Sequence, residues 1–534
     1  MDMYYDSTFR RMNISSLEKA LALGRRKIAS KAMSSMPPGM LILVIALTIG
    51  VFTGCMAAAM KAMLSFFYDL ILYRADRWGM NWRFLVFPLV GVIITALFQH
   101  YVVGGSVARG SRIIRQDLRY GRLRLSPFTV FNPVIGCATT VGFGASGGSE
   151  GPTALSGAAI GSRVGQWLGL DDDWLRILVG VGAAAGIAAI FKAPVGGIMF
   201  ALEVIQMSVS TFSMIILVLA CLISSLAAYI LSDFTFDIRF NIIPEMDPHL
   251  MAWVILFGVI CGLYSIYYNF TKERATALFT GIRSHWLAAV VTGSILSVAV
   301  FFFPSLFGEG FSVITGMVNG ENSHITACGP FAAKSGMMWI VISVGAALLL
   351  KGILVSAAFS GGGVSGDFVP TFFAGALLGW LFATGCNHFF GVHLPVWYFA
   401  LIGMGAVMAG TIHAPLMAFF ILCETTNTYV FILPYFLSVM LSYGTVKIIT
   451  PHSWYSEMES DDIMALMSKG PEQGAIKKTQ TDSKPDSDTD SSDSIAHDFA
   501  PDSGNYDTST ADFRNGSWQR RPEPKKNWQN STPS

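Results

Sequence analysis

Gly147-Gly148-Ser149-Glu150-Gly151-Pro152-Thr153 is the stretch around which the predicted fold is arranged. It places one carboxylate among glycines, two residues before a proline, and the apolar run 154–160 follows. Because a first helical turn leaves its N–H groups unpaired and proline has none, we predict a loop ending at Gly151 and a helix starting near Pro152. The free N–H groups and the positive dipole end of such a helix start favour an anion. Glu150 is therefore either a functional acid beside an anion site or a capping acid at a membrane surface.

The composition is that of a membrane protein. The chain has 534 residues, of which 52% are hydrophobic and 13% charged, whereas ordinary soluble domains carry about a quarter charged residues. Many apolar runs approach the roughly 20 residues needed to cross a bilayer, so the predicted fold class is an all-α polytopic membrane protein. The net charge of +1 indicates no class of partner, and the seven cysteines stand singly, without metal-ligand spacing. We find no nucleophile–base pair, metal cluster or phosphate loop, so no enzyme, cofactor or nucleic-acid partner is predicted.

Basic residues predict the orientation of the chain. They flank the first span, in a segment that contains a predicted amphipathic helix at Ser15–Met33, and they recur in the loop Gly104–Arg124, so both regions are expected in the cytoplasm. The stretch 308–336 is poor in Lys and Arg, which predicts a polar extracytoplasmic loop.

Several apolar segments, such as 154–169 and 195–208, are too short to cross the membrane alone and are predicted to be half-helices. The predicted divisions are a cytoplasmic N-terminal helix in 1–36, transmembrane repeats at 37–235 and 236–462, and a disordered, cytoplasmic polar tail at 463–534.

An internal repeat relates the two transmembrane halves. Each half has a Pro-Thr pair followed by glycines at the same offsets, and later a glycine twelve residues before a proline and a glutamate nine residues after it. Helix-breaking signals at matching places in two halves indicate a transport site at the repeat interface. If the repeats are inverted, two positive helix starts face one point, and that point should hold an anion. The matching residues are Pro152, Gly157, Gly161, Gly182, Pro194 and Glu203 in the first half and Pro370, Gly375, Gly379, Gly403, Pro415 and Glu424 in the second.

These motifs resemble those of the CLC family of chloride channels and chloride/proton antiporters. The stretch 148–152 resembles the family's G-(K/R)-E-G-P, 366–370 its G-x-F-x-P, and 191–194 its F-N-A-P segment. Tyr455 falls where the family places its pore tyrosine, and 110–114 is a degraded match to G-S-G-I-P. The resemblance covers about residues 38–460. It favours a prokaryotic type without the paired regulatory cystathionine-β-synthase domains, in the plasma membrane.

The resemblance implies a homodimer with one anion pore in each subunit. The gating glutamate would be Glu150, which leaves the path when it is protonated. Chloride is weakly hydrated, so N–H and O–H dipoles can replace its water without a full charge that would hold the ion too tightly. The residues expected to bind chloride are Ser111, Gly151, Asp367, Phe368 and Tyr455, with Ser106 as a rival to Ser111 for the hydroxyl ligand.

Three positions depart from the family pattern. Ser149 stands where the family has Lys or Arg, which removes a basic residue near the anion path, and Lys192 replaces the usual Asn. Val204 stands where antiporters often carry a second proton glutamate, so that position resembles the channel branch. Glu203 matches the structural acid of that segment and is also a candidate proton relay.

We therefore expect a Glu150-gated chloride channel, with a chloride/proton antiporter as the alternative. Family members without the second glutamate can still exchange, so Val204 does not decide between the two. A fluoride exporter is less favoured, because that branch departs from the E-G-P signature found here. In an unrelated transporter with the same repeat logic, Glu424 would instead be a cation ligand.

Overall fold

A computed structural model of the protein describes residues 38–72, 81–103, 123–207, 210–232, 248–321, 323–326, 329–331 and 336–450. The predicted N-terminal helix, most of the basic loop and the polar tail lie outside the described residues, as do Ser106, Ser111 and Tyr455. The described residues are helical throughout their regular structure, and their only strand-like feature is an isolated antiparallel bridge between Gly148 and Gly366. The all-α prediction is confirmed.

The helices are numbered here in chain order. Short 3₁₀ turns at Pro127–Val130, Pro248–Leu250 and Pro304–Leu306 precede or follow them, and π-helical turns at Gln99–Val103 and Phe200–Val204 extend α2 and α6. Their bounds are α1 Pro38–Leu72, α2 Arg83–Phe98, α3 Asn132–Gly142, α4 Glu150–Leu168, α5 Asp172–Phe191, α6 Pro194–Met199, α7 Thr211–Leu231, α8 Met251–Thr280, α9 His285–Phe302, α10 Phe311–Val318, α11 Ser323–Thr326, α12 Met337–Ser360, α13 Phe368–Phe390, α14 Val396–Ile412, α15 Pro415–Thr425 and α16 Ile432–Ile449.

Within the described residues, nine helices are long and apolar enough to cross a membrane. The first predicted span, 38–68, corresponds to α1, and the second, 84–103, corresponds to α2 with its π-helical turn. Shorter apolar helices occur at Pro194–Val204, Val396–Ile412 and Pro415–Thr425. These shorter helices agree with the predicted half-helices, which are tolerated at membrane depth only where protein covers their ends.

The loop predicted at 308–336 contains a helix that the sequence reading missed. Helix α10 buries Val313, Ile314 and Met317 against the rest of the protein. Because these residues are one, three and four positions apart, they lie on one apolar face of a helix of two turns. Glycines and polar residues on both sides concealed this short signal.

The repeat is visible where the paired helices of each half touch. Helix α4 packs on α5, and α13 packs on α14. In the first pair, a Cβ added to Gly157 would lie 2.1 Å from the carbonyl oxygen of Gly182, and the reverse distance is the same. Gly375 and Gly403 repeat this contact, again at 2.1 Å. The glycines matched by sequence offset are therefore the points where backbone meets backbone, as close helix packing in membranes requires.

The two repeats also cap each other's short helices. Glu203 accepts hydrogen bonds from the N–H groups of Leu416 (3.1 Å) and Met417 (2.8 Å), at the start of α15. Glu424 accepts them from Val195 (3.1 Å) and Gly196 (2.8 Å), at the start of α6. Each carboxylate satisfies helix-start N–H groups that would otherwise be unpaired. The two glutamates that occupy matching positions in the repeats thus make matching contacts, each with the first helical turn of the other repeat's short helix.

Candidate functional site

The site lies where the starts of α4 and α13 meet. The Gly148 N–H donates to the Gly366 carbonyl at 3.2 Å, and the Gly366 N–H donates to the Gly148 carbonyl at 2.6 Å. Each glycine lies four residues before the proline of its repeat, Pro152 or Pro370. An antiparallel bridge between equivalent residues is what an inverted repeat produces at its axis. The positive ends of two helices therefore converge on one place, as the sequence predicted.

Glu150 is the first residue of α4 and is completely buried. Its Oε1 accepts a hydrogen bond from the N–H of Phe368, the first residue of α13. Its Oε2 is buried and has no hydrogen-bond partner in the described part of the protein. The helix begins two residues earlier than predicted, so its backbone fixes the position of the glutamate. Complete burial excludes a capping acid at a membrane surface.

Two glycines make room for the Glu150 carboxylate. A Cβ at Gly148 would lie 2.0 Å from Glu150 Oε2, and a Cβ at Gly366 would lie 2.1 Å from Glu150 Oε1. The backbone nitrogen of Gly151 also lies beside Gly366, at 2.8 Å from that Cβ position. Any side chain at either glycine would therefore occupy the space that the carboxylate fills. This steric requirement explains why the G-x-E-G-P and G-x-F-x-P motifs begin with glycine in this protein.

An ion pair flanks the site at Ser149. Glu309 Oε1 accepts hydrogen bonds from the Ser149 N–H at 3.1 Å and from its hydroxyl at 2.5 Å, and Lys61 Nζ lies 2.9 Å from Glu309 Oε2. This pair borders a pocket of about 240 Å³. Lys61 of α1 and Glu309 thus place a basic and an acidic group together beside Ser149. The sequence signal for Glu309 was its place between two glycines, shortly before the apolar helix α10.

A buried lysine was also missed by the sequence reading. Lys351 of α12 is completely buried, its Nζ lies 2.7 Å from the Ser146 hydroxyl oxygen, and it lies 4.3 Å from the centre of the Phe373 ring. The available signal was a single lysine within 24 apolar or small residues, because such a residue at membrane depth is a functional candidate by default.

Of the remaining predicted residues, some lie beside Glu150 and others lie elsewhere in the protein. Asp367 precedes the donor Phe368, and its Oδ2 lies 3.3 Å from Lys272 Nζ. Glu203 is engaged as the cap of α15, while Val204 is buried in the π-helical turn after α6. The structure therefore brings Glu150, Gly151, Asp367 and Phe368 together. Ser111 and Tyr455 stay predictions.

Comparisons with known proteins identify the family. Residues 91–447 match the voltage gated chloride channel family. A putative chloride channel protein ClcB-like of Ralstonia nicotianae is 27% identical over 74% of this chain and 89% of its own length. An H(+)/Cl(-) exchange transporter ClcA of Vibrio cholerae is 28% identical, over 56% of this chain and 62% of its own length.

Solved structures show the same fold. A slow cyanobacterial Cl⁻/H⁺ antiporter superposes with a TM-score of 0.66 at 20% identity, over 80% of this chain and 99% of its own. A CLC-type fluoride/proton antiporter gives a TM-score of 0.60 at 20% identity, over 77% and 96%. At this identity the likeness concerns the fold, whereas the family match extends over most of the described sequence. The chain is a multi-pass membrane protein that belongs to the voltage gated chloride channel family.

Proposed function

We propose that this protein exchanges chloride for protons across the membrane, with Glu150 as the group that carries the proton and closes the anion path. The observation that carries the proposal is the bond from the Phe368 N–H to the buried Glu150 carboxylate. One repeat thus holds the carboxylate of the other by a donor at a helix start. A chloride ion suits the same donor, because both are anions that accept hydrogen bonds.

The physical steps follow from this competition. While Glu150 is ionised, its carboxylate occupies the donor and excludes an anion. Protonation removes the charge that the helix start stabilises, so the side chain can leave and an anion can replace it. When the anion moves on, ionised Glu150 returns. The ionised carboxylate and the anion are then alternatives at one place, so anion movement is coupled to proton binding at Glu150, which is the basis of exchange.

The exchanger is favoured over the channel that Val204 suggested. Support comes from the Vibrio cholerae relative, whose name describes H⁺/Cl⁻ exchange. The relative from Ralstonia nicotianae is named a putative chloride channel, which keeps the channel as the second candidate. Glu203 is engaged with backbone donors of α15, so we expect it to act as a structural acid, although it stays a candidate relay.

Several further features belong to the same proposal. Ser111 and Tyr455 would supply hydroxyl ligands, and the backbone at Gly151, Asp367 and Phe368 would supply N–H donors. The protein would form a homodimer with one pore per subunit, in the plasma membrane with both termini in the cytoplasm. The repeats would span 37–235 and 236–462.

Chloride efflux from liposomes tests the proposal. With a pH gradient across the membrane, an exchanger moves chloride against its own gradient and shifts the reversal potential, whereas a channel ignores the pH gradient. Glu150→Gln mimics the protonated acid and should make the flux nearly independent of pH and abolish proton movement. A Glu150→Gln variant that keeps the wild-type pH response would exclude Glu150 as the gate. Current carried mainly by sodium or potassium would contradict anion transport altogether.

A further inference from the structure

Asp367 places a second negative charge beside the donor that holds Glu150. It is the N-cap residue of α13, directly before Phe368, but its side chain makes no capping hydrogen bond. One carboxylate oxygen lies 3.3 Å from Lys272 Nζ, and the other is buried without a hydrogen-bond partner in the described residues. In the first repeat the matching position is Ser149, which is neutral. The acid is therefore a local feature of the second repeat, with one cation as its counterion.

This charge opposes any anion at the Phe368 N–H. Asp367 directly precedes Phe368, whose N–H holds the Glu150 carboxylate, so a chloride ion that replaces the carboxylate at this donor lies in the field of Asp367. Since the surroundings are buried, solvent screens this repulsion weakly. An uncompensated Asp367 would therefore weaken anion binding at the place where transport requires it.

Lys272 cancels that charge from a different helix. It projects from α8, its side chain is 14% exposed and that of Asp367 is 24% exposed, so the pair is largely withdrawn from water. Its ammonium also lies 5.8 Å from the centre of the Tyr268 ring. Among the described residues, Asp367 forms its ion pair with Lys272.

We propose that the Lys272–Asp367 ion pair sets the anion affinity of the transport pathway, with Asp367 weakening anion binding at the Phe368 N–H and Lys272 offsetting that effect. Neither residue is hydrogen-bonded to Glu150 in the described part of the protein, so both influence anion affinity through charge. The inference rests on the proposed function, because it assumes that an anion occupies the place of the Glu150 carboxylate.

Chloride titration by calorimetry tests the pair in full-length protein that carries Glu150→Gln, so that the carboxylate no longer competes. Sodium chloride is added to the parent and to variants with Lys272→Met, Asp367→Asn or both, in a buffer whose anion is bulky and organic. Lys272→Met should weaken chloride binding about tenfold and Asp367→Asn should strengthen it about tenfold, since a single partly screened charge near the anion changes its affinity by about that much. The double variant should bind chloride with an affinity close to that of the parent.

The matched control is Asp172→Asn, which removes an acid from the exposed pair with Arg124, 3.4 Å apart. It should leave chloride affinity unchanged. The two single variants are expected to change chloride affinity in opposite directions. This separates a charge effect from misfolding, because a damaged protein cannot bind chloride more tightly. Unchanged or weakened chloride binding in the Asp367→Asn variant would overturn this inference and leave the proposed function standing. Absence of chloride binding in the parent would instead contradict the proposed function.

Discussion

Gly148→Ala should open the anion path without changing Glu150. The new Cβ would lie 2.0 Å from Oε2 and 2.7 Å from Cδ of Glu150, whereas ordinary contacts begin at 3.4 Å. The three nearest atoms all belong to the Glu150 side chain, so moving that side chain relieves the overlap. A displacement of more than an ångström breaks the bond from the Phe368 N–H, which is worth about 1.5–3 kcal/mol for an ionised acceptor. That loss lowers the population of the closed position by about ten- to a hundredfold.

Chloride efflux from liposomes at neutral and acidic pH measures this effect. Gly148→Ala should give a neutral-pH flux close to that of Glu150→Ala, with most of the pH response lost. The control is Gly345→Ala, because a Cβ at Gly345 meets nothing within 4 Å. Its flux should keep the wild-type pH response. If Gly148→Ala folds and still closes at neutral pH as the wild type does, the closed position is not the one in which Glu150 contacts Phe368.

Three further predictions concern the surroundings of the site. Gly157→Ala should lower the stability of the purified protein by about 3 kcal/mol, because its Cβ would overlap a backbone carbonyl of α5 that cannot move aside; in the same thermal unfolding measurement, Gly345→Ala should be neutral or stabilising by up to about 1 kcal/mol. Glu203→Gln and Glu424→Gln should each cost about 1–2 kcal/mol by that measurement and leave the pH response of efflux intact; loss of proton coupling in Glu203→Gln alone would make it a relay. Lys351→Met removes a cation that stabilises the ionised gate, so efflux should persist to higher pH than in wild type, and an unchanged pH profile would contradict that role.

The local features of the site were predictable because they depend on residues near each other in sequence. Glycines around an acid and a proline after it specify a helix start in any context, so Glu150 could be identified from its own stretch. The repeat then placed a second helix start at the same point, because equal offsets from Pro152 and Pro370 require similar local structure. Even so, the helix start was predicted two residues late, since the proline marks a position inside the first turn.

The charges around the site were not predictable, because each belongs to a pair separated by a long stretch of chain. Lys61 and Glu309 are 248 residues apart, and Lys272 and Asp367 are 95 residues apart. No spacing rule connects such residues before the helices are packed. Lys351 is different, since an isolated lysine in an apolar helix is visible in the sequence, but its partner Ser146 lies 205 residues away.

These charges balance in a way that bears on exchange. Around the meeting point of α4 and α13, the described lysines Lys61, Lys272 and Lys351 are matched by Glu309, Asp367 and ionised Glu150. When Glu150 takes up a proton, the same set carries one excess positive charge in a buried region, where an uncompensated charge is costly. A chloride ion that takes the place of the carboxylate restores the balance. In the proposed exchange, the electrostatics would therefore favour anion entry on protonation and anion departure when Glu150 ionises again, without any full charge left unpaired to hold the ion in place.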